Sequence, residues 1–373
     1  MTAATAGGWP PLRDELRGIE PYGAPQLDVP VQLNVNENPY GPSPACVADI
    51  ATAAAEAAVT LNRYPDREFV ALRTALAAYL SKDTPAGIVP EQVWAANGSN
   101  EIMLQLLQAF GGPGRTAVSF APTYSMYPEY ARDTNTRWVA GRRADDFTLD
   151  LDAARDLVKT EQPSVILLPS PNNPTGTALP PDAVGMLCEA AGDHDVNGIV
   201  VVDEAYGEFR RTGVPSALEL LSSYRNLVVT RTMSKAFAGA GLRLGYLAAA
   251  PEICDAIRVV RLPYHLSAVT QAVALAALGH APELLGKVED LRRERDALVD
   301  GLRAEGYDVA DSDANFVLFG RFADRHAVWQ GLLDRGVLIR ETGPEGWLRV
   351  SVGTPDEMAA FRAALTDVDG ERA

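Results

Sequence analysis

The stretch Leu227-Val228-Val229-Thr230-Arg231-Thr232-Met233-Ser234-Lys235-Ala236-Phe237-Ala238-Gly239-Ala240-Gly241-Leu242-Arg243 opens as a strand and ends as a binding loop. Its first four residues form a short apolar run of β type, so the segment behind them lies where a buried strand hands the chain to a loop. A lysine at such a strand end, with hydroxyls at Thr232 and Ser234 and an arginine eight residues later at Arg243, suits an aldehyde cofactor that carries a phosphate. Lys235 forms the Schiff base, and Thr232 or Ser234, with Arg243, holds the phosphate. Two rival motifs fail here. Thr232-x-x-Lys235 has no S-D-N or K-T-G partner, and Gly239-x-Gly241 lacks the third glycine of a dinucleotide fingerprint.

Working outward, the same form recurs. Val93-Trp94-Ala95-Ala96, Ala117-Val118-Ser119-Phe120, Val165-Ile166-Leu167-Leu168 and Ile199-Val200-Val201-Val202 are apolar runs separated by helical stretches. That alternation predicts an α/β fold with a parallel sheet covered on both faces. In such sheets ligands bind beyond the carboxyl ends of the strands. There stand Asn97-Gly98-Ser99-Asn100-Glu101, Pro122-Thr123-Tyr124, Pro169-Ser170-Pro171-Asn172-Asn173-Pro174-Thr175-Gly176 and Asp203-Glu204-Ala205-Tyr206. Gly98, Tyr124, Asn173, Asp203 and Lys235 are therefore expected to converge although they are far apart in the chain. Helices are expected over Ala45 to Val59, from about Glu68 to Leu80 and from Ile102 to Phe110, with a long helical segment from Gln271 to Leu302 broken near Pro282. Strands are expected again at Phe316–Phe319, Val337–Arg340 and Trp347–Val352. This divides the chain into an arm and loop at 1–44, a large domain at 45–275 and a small domain at 276–373.

Composition sets outer limits. The chain has 373 residues, 47% of them hydrophobic, enough for a sizeable core. With 33 Lys+Arg against 49 Asp+Glu, its net charge of -16 opposes binding to nucleic acid and to anionic membranes, so any arginine that faces a ligand acts locally. Cys46, Cys188 and Cys254 are scattered, without C-x-x-C or a nearby histidine pair, which predicts reduced thiols in the cytoplasm and no metal site. Met1 to Pro10 lacks the basic start and apolar core of a secretory signal. No apolar run approaches the roughly 20 residues of a membrane span.

The strand-end residues suggest a division of labour. A buried aspartate is costly unless a cation or donor meets it. Asp203 under the protonated nitrogen of pyridoxal phosphate meets that need and keeps the ring an electron sink. Tyr206 and Asn173 are placed to donate to the phenolic oxygen, and Tyr124 to cover the ring face. The amides of Ser99 and Asn100, at a helix start, join Arg243 at the phosphate. Lys235 must be neutral near neutral pH to move a proton, and the cationic ring and an arginine nearby lower its pKa.

These strings, with Pro21-Tyr22-Gly23-Ala24-Pro25, Asn36-Glu37-Asn38-Pro39-Tyr40-Gly41 and Arg63-Tyr64-Pro65-Asp66, resemble those of the fold-type I pyridoxal-phosphate aminotransferases. Within them they are most similar to the histidinol-phosphate aminotransferases of the actinobacterial kind, from about residue 18 to 353. The resemblance implies a large domain around a mostly parallel seven-stranded sheet with one antiparallel strand, and a smaller α/β C-terminal domain. It also implies a homodimer in which Tyr64 reaches the phosphate of the partner's cofactor. Arg349 matches the arginine that grips the substrate carboxylate, Arg340 a second one used for the phosphate-bearing substrate, and Tyr22 and Asn36 are placed at the substrate. Tyr22 and Tyr40 would stack its ring. Asn100 and Met233 stand where many relatives carry aspartate and leucine. The reaction implied is transfer of an amino group from histidinol phosphate to 2-oxoglutarate, giving imidazole acetol phosphate and glutamate in histidine biosynthesis. Close relatives act on phenylalanine or tyrosine, others decarboxylate threonine phosphate, and the fold also serves as a ligand sensor fused to helix-turn-helix regulators. No basic DNA-reading segment is present here.

Overall fold

Val93–Ala96, Val165–Pro169, Ile199–Asp203 and Leu227–Thr232 are strands with every residue buried. Helices on both faces of a sheet leave such strands no exposed side, so they read as continuous apolar runs. The computed structural model describes residues 11–193 and 197–370. Met1 to Pro10, read above as no secretory signal, lies outside them.

In chain order the elements begin with β1 (Val31–Gln32), α1 (Pro44–Ala58), α2 (Val70–Leu80), β2 (Val93–Ala96), α3 (Ser99–Phe110) and β3 (Thr116–Ala121). Then come α4 (Tyr127–Asp133), β4 (Arg137–Arg142), α5 (Leu151–Glu161), β5 (Val165–Pro169), α6 (Pro181–Gly192), β6 (Ile199–Asp203) and β7 (Leu227–Thr232). The chain continues with β8 (Gly245–Ala249), α7 (Pro251–Val260), α8 (Ala268–Gly279) and α9 (Ala281–Ala304). It closes with β9 (Asp308–Val309), β10 (Phe316–Gly320), α10 (Arg325–Asp334), β11 (Val337–Leu338), β12 (Trp347–Ser351) and α11 (Pro355–Gly370).

The main sheet has seven strands in the order β2-β8-β7-β6-β5-β3-β4. Strands β4, β3, β5, β6 and β7 pair in parallel, and β8 runs antiparallel to both its neighbours. As a result the carboxyl ends of β2, β3, β5, β6 and β7 share one edge with the amino end of β8. Gly245 at that end pairs with both Ala96 and Thr232. A side chain on Gly245 would lie 2.2 Å from the Ser99 nitrogen, so only glycine lets β8 enter here.

Two strands had no clear sequence signal. β8, Gly-Tyr-Leu-Ala-Ala, runs on into helix α7 and lacks the branched residues that mark strands. β4 is an edge strand of exposed and half-buried positions, with arginines at both ends that leave only the short apolar stretch Trp138-Val139-Ala140 between them. The C-terminal part builds a three-stranded antiparallel sheet, β12-β10-β9, and a separate parallel pair, β1 with β11. The strand expected over Val337–Arg340 stops at Leu338, because its partner β1 is only two residues long. Arg340 turns instead to Arg349, and the two residues exchange both backbone hydrogen bonds at 2.9 Å.

Behind the sheet edge lies an ion-pair network that the apolar pattern did not announce. Glu204 accepts from Arg231 Nη2 at 2.8 Å and meets Arg210 Nη1 at 2.9 Å, while Ser216 Oγ and the Ala217 amide also donate to it. Burial pushes its carboxyl up, yet the two arginines and these donors bring it down to about 2. A carboxyl held below its usual range stabilises the fold at pH values above that range. The stabilisation is lost as pH falls from about 4.5 towards about 2. Glu204→Gln strands buried guanidinium charge and should cost about 3–5 kcal/mol of unfolding free energy. Urea titration at pH 7 measures this, and the deficit should shrink on acidification.

Candidate active site

A cleft of about 470 Å³ follows the edge where the strand ends gather. Ser99, Asn100, Tyr124, Asn173, Asp203, Tyr206, Thr232, Ser234, Lys235 and Arg243 line it, joined by Tyr22, Asn36, Arg340 and Arg349. Residues from all three sequence regions thus meet in one space. Tyr64 does not join them. It is 80% exposed and stacks on Tyr264 with ring centres 4.5 Å apart. Tyr40 does not line the cleft of its own chain either. Its ring lies under the Lys287 ammonium, 5.2 Å away, because the turn at Asn38 directs it towards α9.

At one end of the cleft, β2 turns through Gly98 into α3. Gly98 has φ +85°, and a Cβ there would sit 2.6 Å from Arg243 Nη2. The glycine lets a guanidinium reach the helix N-terminus, and both favour an anion. Arg243 Nη1 donates to Ser234 Oγ at 3.3 Å and to the Ala240 carbonyl at 3.1 Å. Thr232 Oγ1 donates towards Ser234 Oγ at 3.0 Å and receives the Ser234 amide at 3.1 Å. Thr232 is the last residue of β7 rather than a loop residue, which fixes its hydroxyl at the sheet edge.

In the middle, Asp203 is 7% exposed and has no cationic partner among the described residues. Tyr127 Oη donates to its Oδ2 at 3.0 Å, and Thr230 Oγ1 and the Ala205 amide donate to Oδ1 at 3.1 and 3.2 Å. Burial pushes the carboxyl up against the pull of these donors. Tyr206 Oη accepts from Asn36 Nδ2 at 3.0 Å, with Asn173 Nδ2 at 3.5 Å. Lys235 Nζ donates to the Val35 carbonyl at 2.9 Å. Its pKa falls to about 8, first through burial and then through Arg349, with Arg243 a smaller influence. Among the chain's own groups, removal of the ammonium from water is thus a larger cause than either arginine.

At the far end, Arg349 is buried and donates to Asn173 Oδ1 at 2.6 Å and to the Asn34 carbonyl at 2.8 Å. Its Nε has no hydrogen-bond partner among the described residues. Among the described residues the Arg340 guanidinium has one hydrogen bond, to the Gly23 carbonyl at 3.4 Å. No carboxylate of the described residues pairs with Arg243, Arg340 or Arg349, although the chain carries a net charge of -16. Three uncompensated arginines at the two ends of one cleft make two anion sites. A buried acid without a cation and a lysine of lowered basicity stand between them.

A family model for class I and II aminotransferases matches residues 29–365. The chain belongs to this family. The aminotransferase is 65% identical over 360 residues to a histidinol-phosphate aminotransferase of Thermobifida fusca, covering 96% of each chain. It is 56% identical over 361 residues to one of Mycolicibacterium smegmatis, covering 96% of this chain and 94% of that one. Among solved structures it is similar to histidinol-phosphate aminotransferase from Sinorhizobium meliloti in complex with pyridoxal-5'-phosphate. The TM-score is 0.80 and the identity 25%, with 92% of each chain covered. An aspartate aminotransferase variant of Thermus thermophilus shares the fold, with a TM-score of 0.79, 24% identity and coverage of 95% of this chain and 98% of that one. The aminotransferase is thus a fold-type I enzyme whose cofactor is pyridoxal 5'-phosphate, and the cleft fits that group. Its anion end suits a phosphate, the lone acid a ring cation, and the amine an aldehyde.

The sequence had not assigned Tyr127, Thr230 or the carbonyls of Asn34 and Val35. Tyr127 is legible as the second of two aromatics behind the same strand, three residues after Tyr124, but residue type alone gives it no partner. Thr230 sits opposite Asp203 in the parallel register, which only strand pairing reveals. Backbone carbonyls have no signature in residue type.

Proposed function

We propose that this aminotransferase exchanges the amino group of L-histidinol phosphate with 2-oxoglutarate, giving imidazole acetol phosphate and glutamate in histidine biosynthesis. The observation that carries this reading is the pair of anion sites in one cleft, with Lys235 and Asp203 between them. The names of relatives that match along nearly the full chain support it. Lys235, Asp203 and the phosphate cluster of Ser99, Asn100, Thr232, Ser234 and Arg243 would hold the cofactor, with Tyr206 and Asn173 at its phenolic oxygen and Tyr124 on its face. When bound, pyridoxal phosphate supplies an aldehyde that takes up the amino group and a ring that accepts electrons.

The chain's own residues do the rest. Arg340 and Arg349 bind the far oxyanion, either the phosphate of histidinol phosphate or the carboxylates of glutamate. Lys235 Nζ, neutral above about pH 8, accepts the proton from the substrate carbon that bears nitrogen. Asp203 Oδ1 and Oδ2 hold a cation in place. Tyr22 covers the mouth, with Ser125 Oγ donating to its hydroxyl at 3.2 Å. Incubation of the cofactor-loaded protein with histidinol phosphate and 2-oxoglutarate tests the reading. Glutamate should accumulate only when both substrates are present.

A pH dependence follows. Cofactor capture needs the free amine, so its rate with the apoprotein should rise about tenfold per unit up to pH 8 and level off above. Stopped-flow absorbance measures this. A rate that falls between pH 6 and 8 contradicts the assignment of Lys235.

The working unit is a homodimer with shared sites, supported by Tyr64, which stands exposed on the surface, stacked on Tyr264. Mixing Tyr64→Phe with Lys235→Ala subunits should create hybrid dimers with one site carrying both lesions and one carrying neither. Recovery of a wild-type-like site in the mixture is the expected result, and strictly additive activity rules sharing out. Three free buried cysteines suit a reducing compartment, and we place the enzyme in the cytoplasm. Among the described residues no helix is long and apolar enough to cross a membrane.

A further inference from the structure

Asp203 is held by more of the chain than its role under a ring cation requires. An ionised carboxylate offers about four acceptor directions. Tyr127, Thr230 and the Ala205 amide take three of them, leaving acceptor capacity for the cleft that Asp203 lines. Of the three donors Tyr127 stands apart. Thr230 and Ala205 both meet Oδ1, whereas among the described residues Tyr127 alone meets Oδ2. Its hydroxyl is fully buried at the start of α4, and burial followed by the neighbouring Asp203 pushes its pKa well above the ordinary value. The phenol therefore keeps its proton and donates. Its ring meets Tyr124 edge-on, with centres 5.5 Å apart and planes at 90°. One residue thus fixes both the carboxylate and the aromatic wall beside it.

We propose that Tyr127 is a positioning residue that sets how much negative charge Asp203 presents to the cofactor ring. The proposal rests on the assignment of Asp203 to the ring nitrogen given above. A hydrogen bond to the ionised oxygen draws charge away from the cleft, so the phenol moderates the pull of Asp203 on any proton of the bound chromophore. The other titratable groups facing Asp203 are Tyr124 and Tyr130 from the same segment and Glu204 and Tyr206 beside it in the chain. Lys235 lines the same cleft. None of these donates a hydrogen bond to the carboxylate, so Tyr127 is the direct handle on Oδ2.

The test is a pH titration of the visible spectrum of the cofactor-loaded protein. Tyr127→Phe keeps the ring and removes the donor, leaving charge concentrated on Asp203. The midpoint should move up by about half to one unit, as expected for loss of one neighbouring donor. The same substitution placed on Asp203→Asn, which has no charge to modulate, should move the midpoint by much less. A role confined to packing against Tyr124 predicts no upward shift, or an equal shift in both backgrounds, and either result overturns the proposal. Tyr127→Met fills the space with a flexible chain and no donor, and carries the same prediction if the phenylalanine variant does not fold. An Asp203→Asn substitution that by itself leaves the midpoint unmoved overturns the parent assignment, and this proposal with it.

Discussion

Lys235→Ala should abolish transamination while leaving a folded protein. Among the described residues Lys235 is the only lysine that lines the cleft, so no other lysine there is placed to attach the aldehyde or move the proton. Loss of proton transfer alone costs about 10²- to 10⁴-fold, and loss of attachment adds to it. Burial followed by Arg349 lowers the lysine to about 8 from 10.5. A base whose folded pKa is depressed carries its full penalty below the folded value and sheds it as pH climbs to the unfolded one. At pH 7 the alanine apoprotein should therefore melt no lower than the unsubstituted apoprotein, and this advantage should fade between about pH 8 and 10.5. Borohydride reduction of the loaded, unsubstituted protein should fix one cofactor mass on the peptide that contains Lys235. A mass on another peptide, or an alanine variant with full activity, contradicts the assignment.

Arg340 and Arg349 should divide the work of the far anion site unequally. Arg349 is buried and already fastened to Asn173 and the Asn34 carbonyl, so its position is fixed before any ligand arrives. Arg340 holds one long bond to Gly23 and can turn to meet a ligand. The backbone pairing of the two residues starts both guanidiniums from neighbouring points. A charge-assisted hydrogen bond contributes about 1.5–3 kcal/mol, which is about 10- to 100-fold in kcat/KM. Arg340→Ala should lose about that factor with histidinol phosphate but much less with phenylalanine, which has no phosphate. Arg349→Ala should impair every donor, and Arg349→Lys should not restore it, since an ammonium cannot reproduce the planar fork that spans Asn173 and Asn34. Steady-state kinetics of the three variants with both donors separates these outcomes. Equal losses with phenylalanine and histidinol phosphate on Arg340→Ala would remove the phosphate role.

How far the sequence carried this picture depends on where each residue gets its signal. Strands β2, β5, β6 and β7 were legible because full burial demands uninterrupted apolar residues. The site residues on the loops after them were legible because polar and turn-forming residues directly behind such runs are conspicuous. β4 and β8 were not, since an edge position and small residues dilute the pattern. The direction of Tyr40 was not legible, because a tyrosine in a binding loop says nothing of which way it points; its ring lies under Lys287. The ion-pair network around Glu204 was hidden because Arg231 and Arg210 join it only through tertiary folding. Lys235 and Arg349 are tied to the carbonyls of Val35 and Asn34, atoms that every residue type carries. One core cluster runs from Leu33 to Val368 and takes residues from all three sheets, a continuity that no local pattern in the sequence displays.

The central claim is that the far anion site is built for a phosphate-bearing amine. Its most direct test is kcat/KM of the cofactor-loaded protein for histidinol phosphate and for phenylalanine, each with 2-oxoglutarate as acceptor. The account predicts that histidinol phosphate is preferred by at least about tenfold, the worth of one charge-assisted bond to its phosphate. Equal or better use of phenylalanine contradicts it and makes the enzyme an aromatic amino acid aminotransferase.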